Sequence, residues 1–381
     1  MTRPPLTVAG VVVATSITAA WDCWYAALAI SRHPEANDFR NYYTAATLGI
    51  RDGWSRLYDL HLQQQVAAAL GVGWAPFANP PPLAWLAAPF ALLPYRAADL
   101  AWLLLLMAAF IGAWWVAAPG RGLARLAALT AAIGLFPIIF AFVLGQACLL
   151  VAAAVVLAWW LLRRGQPIAA GLALSLIVLK PQDALLLPLA LLVGGRGRVF
   201  AAWFVATALL VIVSAISLGS DGIARYRDAL GFLIGLDLGR GYALTGLIGS
   251  SQAAHVVQLL LGVATLLIAW RRRSSLEAVV FVGVVGSFLV APYLSLQDQA
   301  VLVVAAWILL RERITAALAV LLAATYVALE FAIPFGGAPV IVLEAALLLA
   351  ASFHHDQDRR AEKDDPEGRK DAADHRQHHL E

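Results

Sequence analysis

Outside its basic clusters and its C-terminal segment the chain has few ionisable side chains, and their types suit group transfer at a membrane surface. Asp38 stands in Asp38-Phe39-Arg40-Asn41-Tyr42-Tyr43, just after the first membrane-length apolar stretch. A carboxylate in that position can take a proton from a hydroxyl, the work of a general base. Lys180, in Leu179-Lys180-Pro181, and the later Arg225, Arg227 and Arg240 are cations suited to a phosphate leaving group. Tyr42, Tyr58, Asn79, Gln146, Gln297 and Asp298 add hydrogen-bonding side chains and complete the candidate substrate-binding set.

Each of these residues also has a plain structural role open to it. Asp38 and Asp59 can cap the helices that follow them. For Asp38 the two roles compete, because a carboxylate tied to backbone amides is a poor base. Tyr42 and Tyr43 can anchor at the membrane interface, Lys180 can snorkel to it, and Asn79 with its prolines can shape a rigid turn. Gln146 can bond between helices, and Asp298 can pair with Lys180 or an arginine.

The elements that must position these groups are membrane helices. Hydrophobic residues make up 61% of the 381 and charged ones 13%, with a mean hydropathy of +0.78. A soluble domain is about a quarter charged, so an all-α polytopic membrane protein is expected. Apolar stretches fall near 7–30, 98–118, 123–143, 147–162, 166–180, 182–193, 199–218, 250–270, 276–293, 298–310, 314–333 and 337–352. They suggest a bundle of about 12 transmembrane helices over residues 1–353, with a large first outer loop, 31–79, holding short amphipathic helices. The Pro-rich run 80–94 makes roughly 22 Å of helix, short of the ~30 Å core, and is expected to be re-entrant or interfacial.

Arginine clusters at 121/125, 163/164, 196/198, 271–273 and 311/313 put those ends in the cytoplasm by the positive-inside rule. The opposite face then collects the 31–79 loop, Gly145-Gln146, Lys180-Pro181-Gln182-Asp183, the 219–247 loop and Ser295–Gln299. Ionisable groups gathered at helix ends facing a cavity are functional candidates. Residues 354–381 are charged and His-rich, and read as a disordered cytoplasmic tail. Cys23 and Cys148 both lie in apolar stretches and read as free thiols. The net charge of +3 comes with no basic stripe, so no nucleic-acid partner is expected.

Among membrane enzymes, hydrolases need Ser/His pairs or His/Glu metal motifs. The histidines before the tail, His33, His61 and His255, have no such spacing. A nucleotide-sugar enzyme needs a soluble parallel-sheet domain, which no stretch supplies; its Asp-x-Asp signature occurs only as Asp356-Gln357-Asp358, in the tail. A lipid-linked sugar donor needs neither part: its chain lies among the helices, and catalysis takes one base and cations for the phosphate. A transporter or flippase of polyprenyl-linked sugars is the rival reading; it requires access from both faces and often shows repeated halves.

The combination Asp38-Phe39-x-x-Tyr42, Gly53, Leu57-Tyr58-Asp59, Phe77-x-Asn79-Pro80-Pro81, Gly145-Gln146, Gly171, Leu179-Lys180-Pro181, Pro292-Tyr293 and Asp298 resembles glycosyltransferase family 87. The resemblance runs through positions 38–299. It implies a GT-C-like bundle and inverting transfer of a sugar, mannose first, from a polyprenyl-monophosphate carrier to a glycolipid or glycan. It also implies that Asp38 is the base; the sequence itself demands no metal or other cofactor, and its charge topology and composition suggest an active site facing the periplasm of a bacterial inner membrane. The chain departs from the family pattern at Asn79, where a tyrosine is frequent, and at Ser295, Gln297 and Asp298, where many mannosyl-transferring members carry histidines.

Overall fold

A computed structural model describes residues 6–32, 37–235, 241–249 and 251–364, and every regular element among them is helical. In chain order they are α1 (Leu6–Arg32), α2 (Phe39–Asp52), α3 (Leu60–Ala69), α4 (Pro81–Ala87), α5 (Tyr95–Ala117), α6 (Leu123–Ile133), α7 (Phe136–Val143), α8 (Cys148–Arg163) and α9 (Pro167–Leu174). There follow α10 (Leu187–Val193), α11 (Gly197–Gly235), α12 (Leu244–Ile248), α13 (Gln252–Arg271), α14 (Leu276–Val290), α15 (Ala300–Leu309), α16 (Ala316–Glu330), α17 (Ala332–Phe335) and α18 (Ala338–Asp364).

The apolar stretches read from the sequence all fold as helix, but length divides them. By length and composition α1, α5, α11 and α13 can cross a membrane, as can α6 and α7 together if that pair, bent by 63°, is one span. The other apolar segments, 10–17 residues each, are shorter than the ~20 a straight span needs. The described residues therefore form an all-helical membrane protein with four or five candidate full-length spans plus shorter apolar helices. Length alone does not carry the expected count of about 12. Prolines and glycines cause much of the shortening, since they interrupt the helices without ending the apolar run.

The α6–α7 break shows how such an interruption is tolerated. Tyr326 Oη donates to the carbonyl of Gly134 at 2.6 Å, and the Phe136 N–H donates to Glu330 Oε2 at 2.9 Å. Two side chains one turn apart on α16 thus satisfy the backbone groups freed at the bend, as irregular backbone in an apolar layer requires.

Three features differ from the sequence reading. Residues 220–235, expected as part of an outer loop, continue α11 beyond a turn at Gly219, whose φ of 63° suits glycine and lets two helical stretches join. The tail, expected to be disordered from 354, continues α18 as helix to Asp364; Ala, Glu, Gln, Lys and Arg propagate a helix already begun. Tyr42 and Tyr43, open to a role as interfacial anchors, are packed inside the protein instead, 2% and 4% exposed, on a helix α2 buried along most of its length.

Helix α8 separates two unlike ends. At its C-terminus Arg163 pairs with the buried Glu277, which also accepts from Trp159 Nε1 at 3.2 Å. Arg311 lies over Trp159 at 5.2 Å and donates to the carbonyl of Val116 at 3.2 Å. Gln146 lies just before the N-terminus of α8, roughly 24 Å away along the helix axis.

Candidate active site

The first polar segment is built to fix its carboxylate without capping it. Asp38 precedes α2 with φ −81° and ψ −16°, and its side chain makes no capping hydrogen bond. Its neighbour Asn37 does that work, accepting from the Arg40 N–H at 3.2 Å. The Asp38 N–H donates to the Leu144 carbonyl at 2.8 Å, which seats the residue against the end of α7. The Asp38 carboxylate is thereby left half-buried and available. Asp59, in contrast, is a cap, accepting from the Leu62 N–H at 3.1 Å.

Gly145 explains how Gln146 reaches Asp38. Its φ is 65°, and an added Cβ would lie 3.1 Å from Phe39 Cβ and 3.5 Å from the Trp102 ring. Trp102 Nε1 donates to the Gly145 carbonyl at 2.8 Å and holds the turn. Only a glycine turns the chain there without strain. Gln146 emerges 4% exposed. Its Oε1 accepts from Lys180 Nζ at 2.8 Å and from Tyr42 Oη at 3.3 Å, while its Nε2 donates to Asp38 Oδ2. With two donors on its oxygen, the amide can face Asp38 only with its nitrogen.

Lys180 sits between two 3₁₀ turns, Ser175–Leu179 and Pro181–Ala184, with φ −152° and ψ 77°. A residue before proline is pushed into extended backbone, so Lys-Pro breaks the apolar helix and delivers the ammonium to its broken end. Its Nζ pairs with Asp298 Oδ1. Asp298 is 0% exposed and is fixed by a capping box with Ser295, its Oδ2 accepting from the Ser295 N–H at 3.0 Å. Gln297 contributes backbone: its carbonyl accepts from Cys148 Sγ at 3.2 Å, tying this turn to the start of α8.

Burial pushes the Asp38 carboxyl above the usual carboxylate range. The charges of Lys180 and Arg40 and the bond from Gln146 draw it back, and the charge of Asp298 adds to the rise. A carboxyl so held keeps its proton to higher pH than a free aspartate, nearer the range where general bases work best.

The structure thus gathers Asp38, Tyr42, Gln146, Lys180 and Asp298 into one connected cluster. Tyr58 and Asn79 meet each other instead, Tyr58 Oη donating to the Asn79 carbonyl at 2.7 Å. Phe77 stands between them and Tyr42, its ring 6.0 Å from Tyr58 and 6.3 Å from Tyr42. Arg225 faces Asp59 at 3.8 Å and donates to the Ser55 carbonyl at 3.2 Å, and Arg227 is exposed. Among the described residues no contact joins either arginine to the cluster, and Arg240 lies outside the described residues. One carboxylate that the sequence reading put on the polar face, without naming it among the candidate site residues, joins this region. Asp183 is 0% exposed, neither of its oxygens has a hydrogen-bond partner, and it lies within electrostatic reach of Lys180 and Asp298. Its signal was an acid three residues beyond Lys180 on the same broken helix.

Comparison with known proteins bears on this arrangement. The model of glycosyltransferase family 87 matches residues 77–292, more than half of the chain. No curated protein and no solved structure matches. Gln146, Lys180 and Asp183 lie inside the matched region, and the carboxylates Asp38 and Asp298 flank it. With its apolar helices and this matched region, the chain belongs to glycosyltransferase family 87 and is a membrane glycosyltransferase.

Proposed function

We propose that the chain moves a sugar, mannose first, from a polyprenyl-monophosphate carrier to a hydroxyl of a glycolipid or glycan, on the periplasmic side of a bacterial inner membrane. The observation that carries this reading is the contact sequence Asp38–Gln146–Lys180–Asp298: a half-buried carboxylate held one amide away from a buried ammonium. That is the pairing such a transfer needs, a base for the acceptor and a cation for the departing phosphate.

In this mechanism Asp38 takes the acceptor's hydroxyl proton as the oxygen bonds to the anomeric carbon. The carbon–oxygen bond to the phosphate breaks on the opposite face, the electron pair leaves with the phosphate, and the linkage inverts. An ammonium has three donors. Asp298 and Gln146 take two from Lys180, leaving one for a phosphate oxygen. Gln146 serves the base by orientation, and Tyr42 holds Gln146. No cofactor enters these steps.

The test is transfer of radiolabelled sugar from synthetic polyprenyl-phosphate-mannose, in membranes of a host deleted for this protein, with the host's lipid extract as acceptor. Polyprenyl-phosphate-glucose runs in parallel. Labelled product from the mannose donor supports the reading, and product from glucose alone corrects the sugar. Movement of either donor across sealed vesicles, without product, would replace transferase by translocator.

A further inference from the structure

Beside the cluster lies a groove of about 650 Å³ walled by α1, α5 and α7, with apolar sides including Ala27, Leu103 and Ile139. That volume is within the ~300–1,000 Å³ range of small-molecule sites. Its polar end is made by Asn37 and Asp99, where Asn37 Nδ2 donates to Asp99 Oδ1 at 3.0 Å. None of the lining residues is Lys, Arg or His.

The groove touches the site through backbone. Leu144 and Gly145 line it, and the Leu144 carbonyl holds the Asp38 N–H. Contacts run from the groove wall through the Asp38 backbone to its carboxylate, then to Gln146 and Lys180, none of which lines the groove itself. The two sides differ in charge. A phosphate is matched by the Lys180 side; at the groove mouth it would meet the Asp99 carboxyl with no cation in the lining. The Asn37 amide oxygen is already taken by the Arg40 N–H and by Tyr95 Oη at 3.1 Å, so hydroxyl groups meet the Asp99 carboxyl there, whose second oxygen can accept from them.

Taking the transfer reading above as given, we propose that this groove holds the hydrocarbon chain of the acceptor. The acceptor is then a membrane lipid with an uncharged sugar or polyol head, not a soluble glycan. Its tail lies between α1 and α5, its hydroxyls meet Asp99, and the attacking hydroxyl reaches Asp38. The donor's phosphate enters from the Lys180 side.

The native chain carries its own reporter. Cys23 lines the groove and is exposed, whereas Cys148 is buried. Alkylation of Cys23 by N-ethylmaleimide is followed by mass spectrometry on the full chain in lipid nanodiscs. Dodecyl mannoside is expected to slow it in proportion to occupancy, and polyprenyl phosphate to leave it unchanged. Protection by polyprenyl phosphate, or by neither compound, overturns the proposal. The second arm is Ala27→Phe, at an exposed lining position, read by transfer kinetics. Displacing two methylenes from the groove raises the KM for dodecyl mannoside about tenfold, with the donor KM unchanged; a rise in donor KM instead overturns the proposal. Absence of transfer by the wild type would refute the transfer reading alone, since Cys23 protection still reports what fills the groove.

Discussion

Replacing Gln146 by Leu tests whether that residue tunes the base or binds substrate. Leucine keeps the approximate bulk but removes the amide that donates to Asp38 and accepts from Lys180 and Tyr42. A hydrogen bond to a charged group is worth about 1.5–3 kcal/mol, and every 1.4 kcal/mol is tenfold. The bond from Gln146 is one of the forces drawing the Asp38 carboxyl down from the rise that burial causes. Without it the carboxyl holds its proton to still higher pH. The acid limb of kcat/KM therefore moves to higher pH, and activity measured on that limb falls by about 10–100-fold. Above the shifted limb, where Asp38 is ionised in both proteins, the deficit narrows to the part due to lost packing and lost orientation. The assay is initial-rate transfer across pH 5–9 at subsaturating donor. A loss equal at every pH would show a purely structural residue. A higher donor KM with an unmoved limb would show a substrate-binding one. Either result refutes the positioning role.

Further outcomes follow from the same geometry. Lys180→Met leaves Asp298 fully buried without its counter-charge, a loss of about 3–5 kcal/mol, visible as a lower melting temperature in detergent; adding Asp298→Leu recovers much of that stability and none of the transfer activity. Gly145→Ala forces a Cβ to within 3.1 Å of Phe39 at a φ of 65°, and costs about 1–2 kcal/mol from the backbone conformation alone, read by thermal unfolding. Because the residue presents Gln146, the same variant also loses transfer activity by more than its stability change accounts for.

The helical class and the apolar segments were legible because hydropathy depends on composition, which a membrane chain shows openly. Interruptions inside those segments were harder to weigh. Gly134-Leu135 looks like minor punctuation inside 123–143 yet splits it into two helices, and Lys180-Pro181, read as a boundary between stretches, also delivers the ammonium to the site. The Asp38 question turned on whether a neighbouring residue supplied the cap, and Asn37 does. Sequence spacing could not show that, since both residues are good caps. Arginines 225 and 227 carry the right charge for a phosphate, but charge says nothing of partners; Arg225 faces Asp59 across the fold. Gln146 was recognisable as a motif residue, whereas its three partners come from α2, from Lys180 at a helix break and from the segment before α2, which only the folded chain brings together. Asp183 was placed on the polar face but not among the candidate site residues, since its complete burial is a property of packing.

The central claim is that Asp38 is the base of sugar transfer, and it is tested most directly by Asp38→Asn in purified protein with a lipid-linked donor. Asparagine keeps the shape but cannot accept the proton, and loss of a general base lowers the rate by about 10²–10⁴-fold. The account predicts that fall in transfer, with donor binding and melting temperature close to wild type, because Asn37 and not Asp38 caps α2. Transfer at the wild-type rate by a folded Asp38→Asn protein would contradict it.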